Sequence, residues 1–318
     1  MSATKYLVPE LERRQFVGGC AASAFAVGVP LPFVPAGPAR VPPGSANPLL
    51  SVMLWTVEPK LPFEQRAAKV AEAGYHAIEL VNEYEHWQPS DFAQTRKLLQ
   101  KLNMVVDACS GIDANLCDPA ERDLLLQQLR EKLPMLSELE CSRLILLTGN
   151  KVANLSHEQM HSNVIEALKQ AAEFCEPQKV EILLENIDPE ENPKYFLTSV
   201  AEGLQIVREV NHPGVRFLYD FFHEQIAEGN LIEKLEKNLD LIGLVHVADV
   251  PGRHAPGTGE INYSSIYRKL GQLGYSKYIA MEFLATGDVV TELRKARESA
   301  QKYFAEGHDM VVSEAQRK

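Results

Sequence analysis

The sequence predicts a (β/α)8, or TIM, barrel preceded by an N-terminal export signal and a Pro/Gly-rich linker. Three observations carry this. From Leu49 onward, eight short runs rich in Val, Ile, Leu and aromatics alternate with eight longer amphipathic stretches, in about 270 residues, the length of one such barrel. The short runs are apolar on both faces, as strands are when helices cover a parallel sheet. The first run leads into Trp55-Thr56-Val57-Glu58-Pro59, without the glycines of a phosphate-binding turn, which counts against an open doubly wound sheet.

The strand runs, in order, are LLSVMLWTV, YHAIELV, MVVDACS, SRLILLTG, VEILLEN, VRFLYDFF, LIGLVHVAD and KYIAMEFLA. Between them, apolar residues recur at three- and four-residue spacing, the period of a helix with one buried face. PFEQRAAKVAEAG stops at Gly74, a residue suited to the left-handed turn that ends helices. Ser90-Asp91 precedes FAQTRKLLQKL as a predicted N-cap. Asp118-Pro119 opens ERDLLLQQLREKL, with proline just inside the helix start. NVIEALKQAAEF, VAEGLQIVREV, LIEKLEKNL, SSIYRKLGQL and VVTELRKARESAQKYF complete the series. The domain division expected is 1–46 for signal and linker and 47–318 for the barrel.

Ahead of the barrel, Glu12-Arg13-Arg14-Gln15-Phe16-Val17 resembles a twin-arginine export motif, and a weakly apolar, glycine-rich run follows it to Val29. That run is too short and broken for stable membrane insertion, so it reads as an address and predicts an exported, periplasmic or other extracytoplasmic protein. The net charge of −11 repels phosphate backbones, which excludes nonspecific nucleic-acid binding. Cys20, Cys109, Cys117, Cys141 and Cys175 form no CxxC pair. They are expected as buried free thiols, with a Cys109–Cys117 disulfide as the alternative for an exported chain.

Chemistry on a barrel collects at the C-terminal ends of its strands. There the fifth run ends in Glu185, the sixth in Asp220 with His223 just beyond, the seventh holds His246 and Asp249, and the eighth holds Glu282. Three buried carboxylates around one histidine repel one another unless a cation neutralises them. One divalent metal does so, and an oxygen-rich shell with one imidazole suits Mn²⁺ first, then Mg²⁺ or Co²⁺, ahead of Zn²⁺. A lone acid at a strand end is commonly a helix cap or an ion-pair partner; four such residues on four consecutive strands are harder to explain that way.

At these residues the chain resembles the xylose-isomerase-like barrel superfamily, and within it the hydroxypyruvate isomerase family. YDFFHEQIAEGNL, HVADVPGRHAPGTGEINY and LGYSKYIAMEF carry the resemblance. Ketose 3-epimerases of the tagatose/psicose type share its metal framework and have histidine where some hydroxypyruvate isomerases have glutamine. The resemblance implies Glu185, Asp220, His246 and Glu282 as metal ligands and Glu185 and Glu282 as the acid–base pair. It also implies His223 and Arg253 as substrate contacts, with Glu79, at the end of the second run, as a further candidate beside a plain salt-bridge reading. His254 and Glu260 read as residues that tie down the loop after His246. The implied activity is metal-dependent isomerisation or epimerisation of a hydroxy-ketone or sugar through an enediolate. Dehydration or lysis of a keto-sugar on the same barrel is the alternative, and an apurinic endonuclease or a sugar-binding barrel are more distant ones. The partner expected is a small carbohydrate or hydroxy-ketone, and a homo-oligomer is compatible with the sequence. Glu282 is followed by Phe-Leu-Ala-Thr, where hydroxypyruvate isomerases carry an arginine. That departure and the export signal favour a neutral sugar over a small carboxylate.

Overall fold

Alternating apolar runs and amphipathic stretches fold into the expected alternation of strand and helix. The structure, a computed structural model, describes residues 46–316. The expected export signal and linker, with Cys20, lie outside the described residues. The strands are β1 (Leu49–Met53), β2 (Ala77–Leu80), β3 (Val105–Cys109), β4 (Arg143–Leu147), β5 (Glu181–Glu185), β6 (Val215–Asp220), β7 (Ile242–Val247) and β8 (Tyr278–Met281). Each pairs in parallel with the next, and β8 pairs with β1 through Leu50–Ile279, so the sheet is a closed barrel. The helices are α1 (Phe63–Glu72), α2 (Pro89–Lys101), α3 (Arg122–Glu138), α4 (His157–Cys175), α5 (Val200–Val210), α6 (Phe221–Ala227), α7 (Leu231–Lys237), α8 (Tyr263–Gln272) and α9 (Val289–Gln316). None of them is long and apolar enough to cross a membrane.

Two apolar clusters result. The larger fills the space between sheet and helices. The smaller gathers strand residues, among them Leu183, Leu218, Leu244 and Ala280, that point the other way, into the barrel. This inner cluster places the site. Side chains alternate along a strand, so the residues two positions further on, Glu185, Asp220, His246 and Glu282, share its face at the C-terminal mouth.

Several boundaries differ from the sequence reading. The cap of α2 is Gln88 rather than Ser90 or Asp91; Asp91 acts from inside the first turn, its carboxylate accepting from the Gln88 N–H at 2.7 Å. The predicted third helix stops before Pro134, but α3 runs through it to Glu138. Burial of Leu129, Leu133 and Leu136 along one face offsets the cost of an interior proline, about 3 kcal/mol. Phe221 and Phe222 do not extend the sixth strand. They open α6, because Asp220 caps it, accepting from the N–H groups of Phe222 at 2.7 Å and His223 at 3.4 Å. The four described cysteines are free and buried, as the thiol reading expects, and Cys109 and Cys117 are not bridged.

Candidate active site

The mouth of the barrel brings four of the expected residues together. Glu185, Asp220 and His246 stand at or near the ends of β5, β6 and β7, and Glu282 follows β8 by one residue. All four are buried, and one donor atom from each lies within 4.8 Å of the others. His246 anchors the cluster. Its Nδ1 is 2.8 Å from Glu282 Oε2 and 3.7 Å from Glu185 Oε1. Glu282 is held at both oxygens: Trp55 Nε1 donates to Oε1 at 3.0 Å, and Arg253 Nη2 meets Oε2 at 2.7 Å. Asp220 divides its work, with Oδ1 capping α6 and Oδ2 turned toward Arg253 Nη2 at 3.4 Å.

These contacts pull the protons of the two glutamates apart. Burial pushes the Glu185 carboxyl up to about 8; the negative charges of Glu282 and Asp220 add to the rise, and His246 and His223 oppose it. Burial also works against ionised Glu282, yet Arg253 and then His246 hold its carboxyl well below the usual carboxylate range. The His246 imidazole is raised despite its burial, because Glu79 and Glu282 both face it. A pair of carboxyls whose environments drive them in opposite directions is the arrangement acid–base chemistry uses.

The donor set fits a divalent metal. Three carboxylates and one imidazole converge from four strands, within the span of one ion, where burial without a cation is costly. Nδ1 is the His246 nitrogen on the Glu185 and Glu282 side. Its Nε2 is spoken for by Glu79 Oε2 at 2.9 Å.

Glu79, expected as a substrate contact or a salt-bridge partner, therefore lies at the far edge of the imidazole from Glu282, fully buried. Its partner is the His246 imidazole, the salt-bridge reading. His223 is buried beside Asp220, its Nε2 3.5 Å from Asp220 Oδ2 and its Nδ1 2.7 Å from Asp188 Oδ2. Arg253 reaches the cluster from the loop after β7 with a left-handed backbone (φ +56°), its guanidinium over the Phe222 ring. It also meets Glu191 Oε2 at 2.9 Å.

Asp249 holds that loop. Its Oδ1 accepts from the N–H groups of Val250 and Ile261, both at 3.0 Å, and its Oδ2 from those of Gly257 at 2.8 Å and Gly259 at 2.9 Å. His254 Nδ1 bonds the Leu284 carbonyl at 3.0 Å, and Glu260 accepts from Gln225 Nε2 at 3.1 Å, so both tie the loop down as expected. A hydrophobic strand ends in a histidine and an acid because the first serves the cluster and the second folds the loop that delivers Arg253.

Sequence reasoning missed Asp188, Glu191 and Trp55. The first two lie in the IDPEEN stretch directly after Glu185, where a reading confined to strand ends does not look. Trp55, in the sequence, is only part of a turn that lacks glycines.

Comparison with known proteins places these features in a family context. The family model described as xylose isomerase-like TIM barrel matches residues 67–306. A Danio rerio protein named for hydroxypyruvate isomerase is 30% identical over 258 residues, covering 77% of this chain and 91% of the relative. A 2-oxo-tetronate isomerase from Haemophilus influenzae is 28% identical over 242 residues, covering 74% of this chain and 92% of its own length. Among solved structures, a D-psicose 3-epimerase from Clostridium cellulolyticum superposes with a TM-score of 0.66 at 17% identity, over 83% of this chain and 98% of that one, and so shares the fold.

Proposed function

The chain belongs to the xylose isomerase-like TIM barrel family and is an isomerase or epimerase, as its relatives are; we propose that it moves a proton beside the carbonyl of an uncharged polyhydroxy ketone, with a divalent metal held by Glu185, Asp220, His246 and Glu282. One observation carries this: three carboxylates and one imidazole, buried at the ends of four consecutive strands, bring one donor atom each to within 4.8 Å of one another. Mn²⁺ suits the three-oxygen, one-nitrogen set. When bound, such a metal supplies the positive charge that polarises the substrate oxygens and steadies an enediolate.

The chain's own residues supply the rest. Glu282, held ionised and unable to turn between Trp55 and Arg253, is the base that takes the proton from the carbon beside the carbonyl. Glu185, the second carboxyl of the cluster, 3.7 Å from the same His246 nitrogen, returns a proton. Return to the neighbouring carbon, with the hydroxyl proton moving to the former carbonyl oxygen, is isomerisation; return to the same carbon from the opposite face is epimerisation. His223 and Glu191 offer polar atoms to substrate hydroxyls, and the loop carrying Arg253 keeps water from the reacting carbon.

The substrate class follows from the charges. Hydroxypyruvate and 2-oxo-tetronate, the compounds in the relatives' names, carry a carboxylate. Here the arginine of the site is already met by Glu191, Asp220 and Glu282, and it also donates to the Glu282 carbonyl through Nε at 3.3 Å. A substrate carboxylate would have to displace one of these bonds among like charges, whereas a neutral ketose meets acceptors with hydroxyl donors.

The test is incubation of the Mn²⁺-loaded full chain in D₂O with ketoses, keto-sugars and hydroxypyruvate, followed by proton NMR. Deuterium is expected at the carbon beside the carbonyl of a neutral ketose, with none entering in Glu282→Gln. Elimination products would make the enzyme a lyase, and turnover confined to hydroxypyruvate would overturn the neutral-substrate reading.

A further inference from the structure

Asp188 sits three residues after Glu185, in the loop that follows β5, and is completely buried. A buried carboxylate needs a partner for each oxygen. Asp188 divides its two oxygens between two tasks. Oδ1 accepts from the backbone N–H groups of Glu190 and Glu191, both at 2.9 Å, and so folds the turn that presents Glu191 to Arg253. Oδ2 lies 2.7 Å from Nδ1 of His223.

The same Nδ1 lies 3.3 Å from the Asp188 N–H. One ring nitrogen cannot both donate to the carboxylate and accept from the amide. An ionised carboxylate only accepts, and the contact with it is the shorter and charge-assisted one, so Nδ1 carries the hydrogen. Nε2, 3.5 Å from Asp220 Oδ2, is then the nitrogen turned into the four-residue cluster.

We propose that Asp188 is a positioning residue: in the neutral ring its Oδ2 fixes His223 as the Nδ1–H tautomer, so that Nε2 faces the site with a lone pair able to accept a hydroxyl hydrogen from the substrate. This rests on the isomerase reading above for its functional meaning and on the hydrogen bonds alone for its structural content. The tautomer of a histidine is set by whatever the far nitrogen bonds, and partners of this kind influence activity without touching substrate. Asp188, Glu191 and His223 also have donor atoms within 4.8 Å of one another. A second metal is the weaker reading, because Asp188 Oδ1 and Oδ2 and Glu191 Oε2 already have partners.

Asp188→Asn makes a sharp test. The amide oxygen takes over the two backbone N–H groups, which leaves the NH₂ in the place of Oδ2. It donates to Nδ1, and His223 is driven to the Nε2–H tautomer with little change of shape. The measurement is ¹⁵N NMR of histidine-labelled full chain loaded with Mg²⁺, followed up in pH until the His223 ring is neutral, with His223→Gln to assign the signals. The expected result is an Nδ1–H pattern for His223 that becomes Nε2–H in Asp188→Asn. Thermal stability should be nearly unchanged, and kcat on the accepted ketose should fall about 10- to 100-fold, with KM changing far less. A His223 signal that is Nε2–H in the unaltered protein, or that does not switch in the variant, overturns the proposal. So does binding of two Mn²⁺ per chain that drops to one in Asp188→Asn. If the unaltered protein shows no proton exchange with any ketose, the isomerase reading fails, and the tautomer result still decides the positioning role.

Discussion

Glu79 meets His246 at the ring nitrogen that faces away from Glu282, and both groups are fully buried. A histidine that binds a cation through Nδ1 must keep its hydrogen on Nε2, and a carboxylate on that hydrogen fixes the ring and makes it a better donor. Glu79→Leu removes the acceptor and leaves a buried N–H unpaired. Mn²⁺ affinity, read by titration calorimetry, should weaken about 10- to 100-fold. Glu79→Gln keeps an acceptor oxygen and should lose less. Equal affinity in all three proteins would show that Glu79 does not support the ligand. At this scale the sequence was most informative where chemistry follows an apolar run: Glu185, Asp220, His246 and Glu282 each extend the inner face of a strand. Glu79 follows an apolar run as well, and of its two readings the structure shows the salt bridge, to His246 Nε2 at 2.9 Å. Only closure of the barrel brings β2 opposite β7 and sets its carboxylate behind the imidazole. Asp188, Glu191 and Trp55 carry no comparable signal in the sequence because their roles depend on partners distant in sequence: Trp55 reaches Glu282 across 227 positions.

The loop from Val250 to Asn262 depends on one acid and one glycine. Asp249 accepts four backbone N–H groups, and a Cβ at Gly259 would lie 2.0 Å from the Val250 carbonyl oxygen, too close for any side chain. Asp249→Ala should cost about 2–3 kcal/mol, less than the sum of four charge-assisted bonds because water reaches part of the freed backbone. The local effect should exceed the global one. Hydrogen exchange in residues 250–262 should quicken at temperatures where the strands remain protected, and KM should rise as Arg253 loses its placement. Uniform loosening of the whole barrel, with the loop no faster than the strands, would contradict this. The strands were legible because eight apolar runs of similar length recur at regular spacing. Helix starts were less so. Ser90 and Asp91 looked like caps by residue type, but Gln88 holds that position, since a cap is defined by where the chain turns. Phe221 and Phe222 read as strand by composition, and the Asp220 carboxylate converts them into the first turn of α6.

Across the whole barrel, the buried charges at the mouth couple stability to pH and, through the proposed ligand set, to metal. Glu185 is raised from an ordinary value of 4.5 to about 8 by burial and its acidic neighbours. A carboxyl raised in the folded state contributes stability that is present below its unfolded value and is lost as pH climbs through the folded one. His246 is raised above its ordinary value of 6.5, so its contribution is likewise lost as pH rises. Glu282 shifts the other way, but its titration lies far on the acid side and its contribution is constant from pH 5 to 8. Chelator-treated protein should therefore melt at progressively lower temperature between pH 5 and pH 8. Mn²⁺ should reverse the trend. It competes with protons for Glu185 and His246, so binding tightens as pH rises, and each tenfold gain in metal concentration over Kd adds about 1.4 kcal/mol to stability. The rise in Tm on adding Mn²⁺, measured by scanning calorimetry, should be larger at pH 8 than at pH 5.5. In Glu185→Gln, which removes the group that changes most across this window, the pH dependence of that rise should flatten. A metal-induced rise that is the same at both pH values would mean that Glu185 and His246 do not give up protons to the metal, and the ligand set would have to be redrawn.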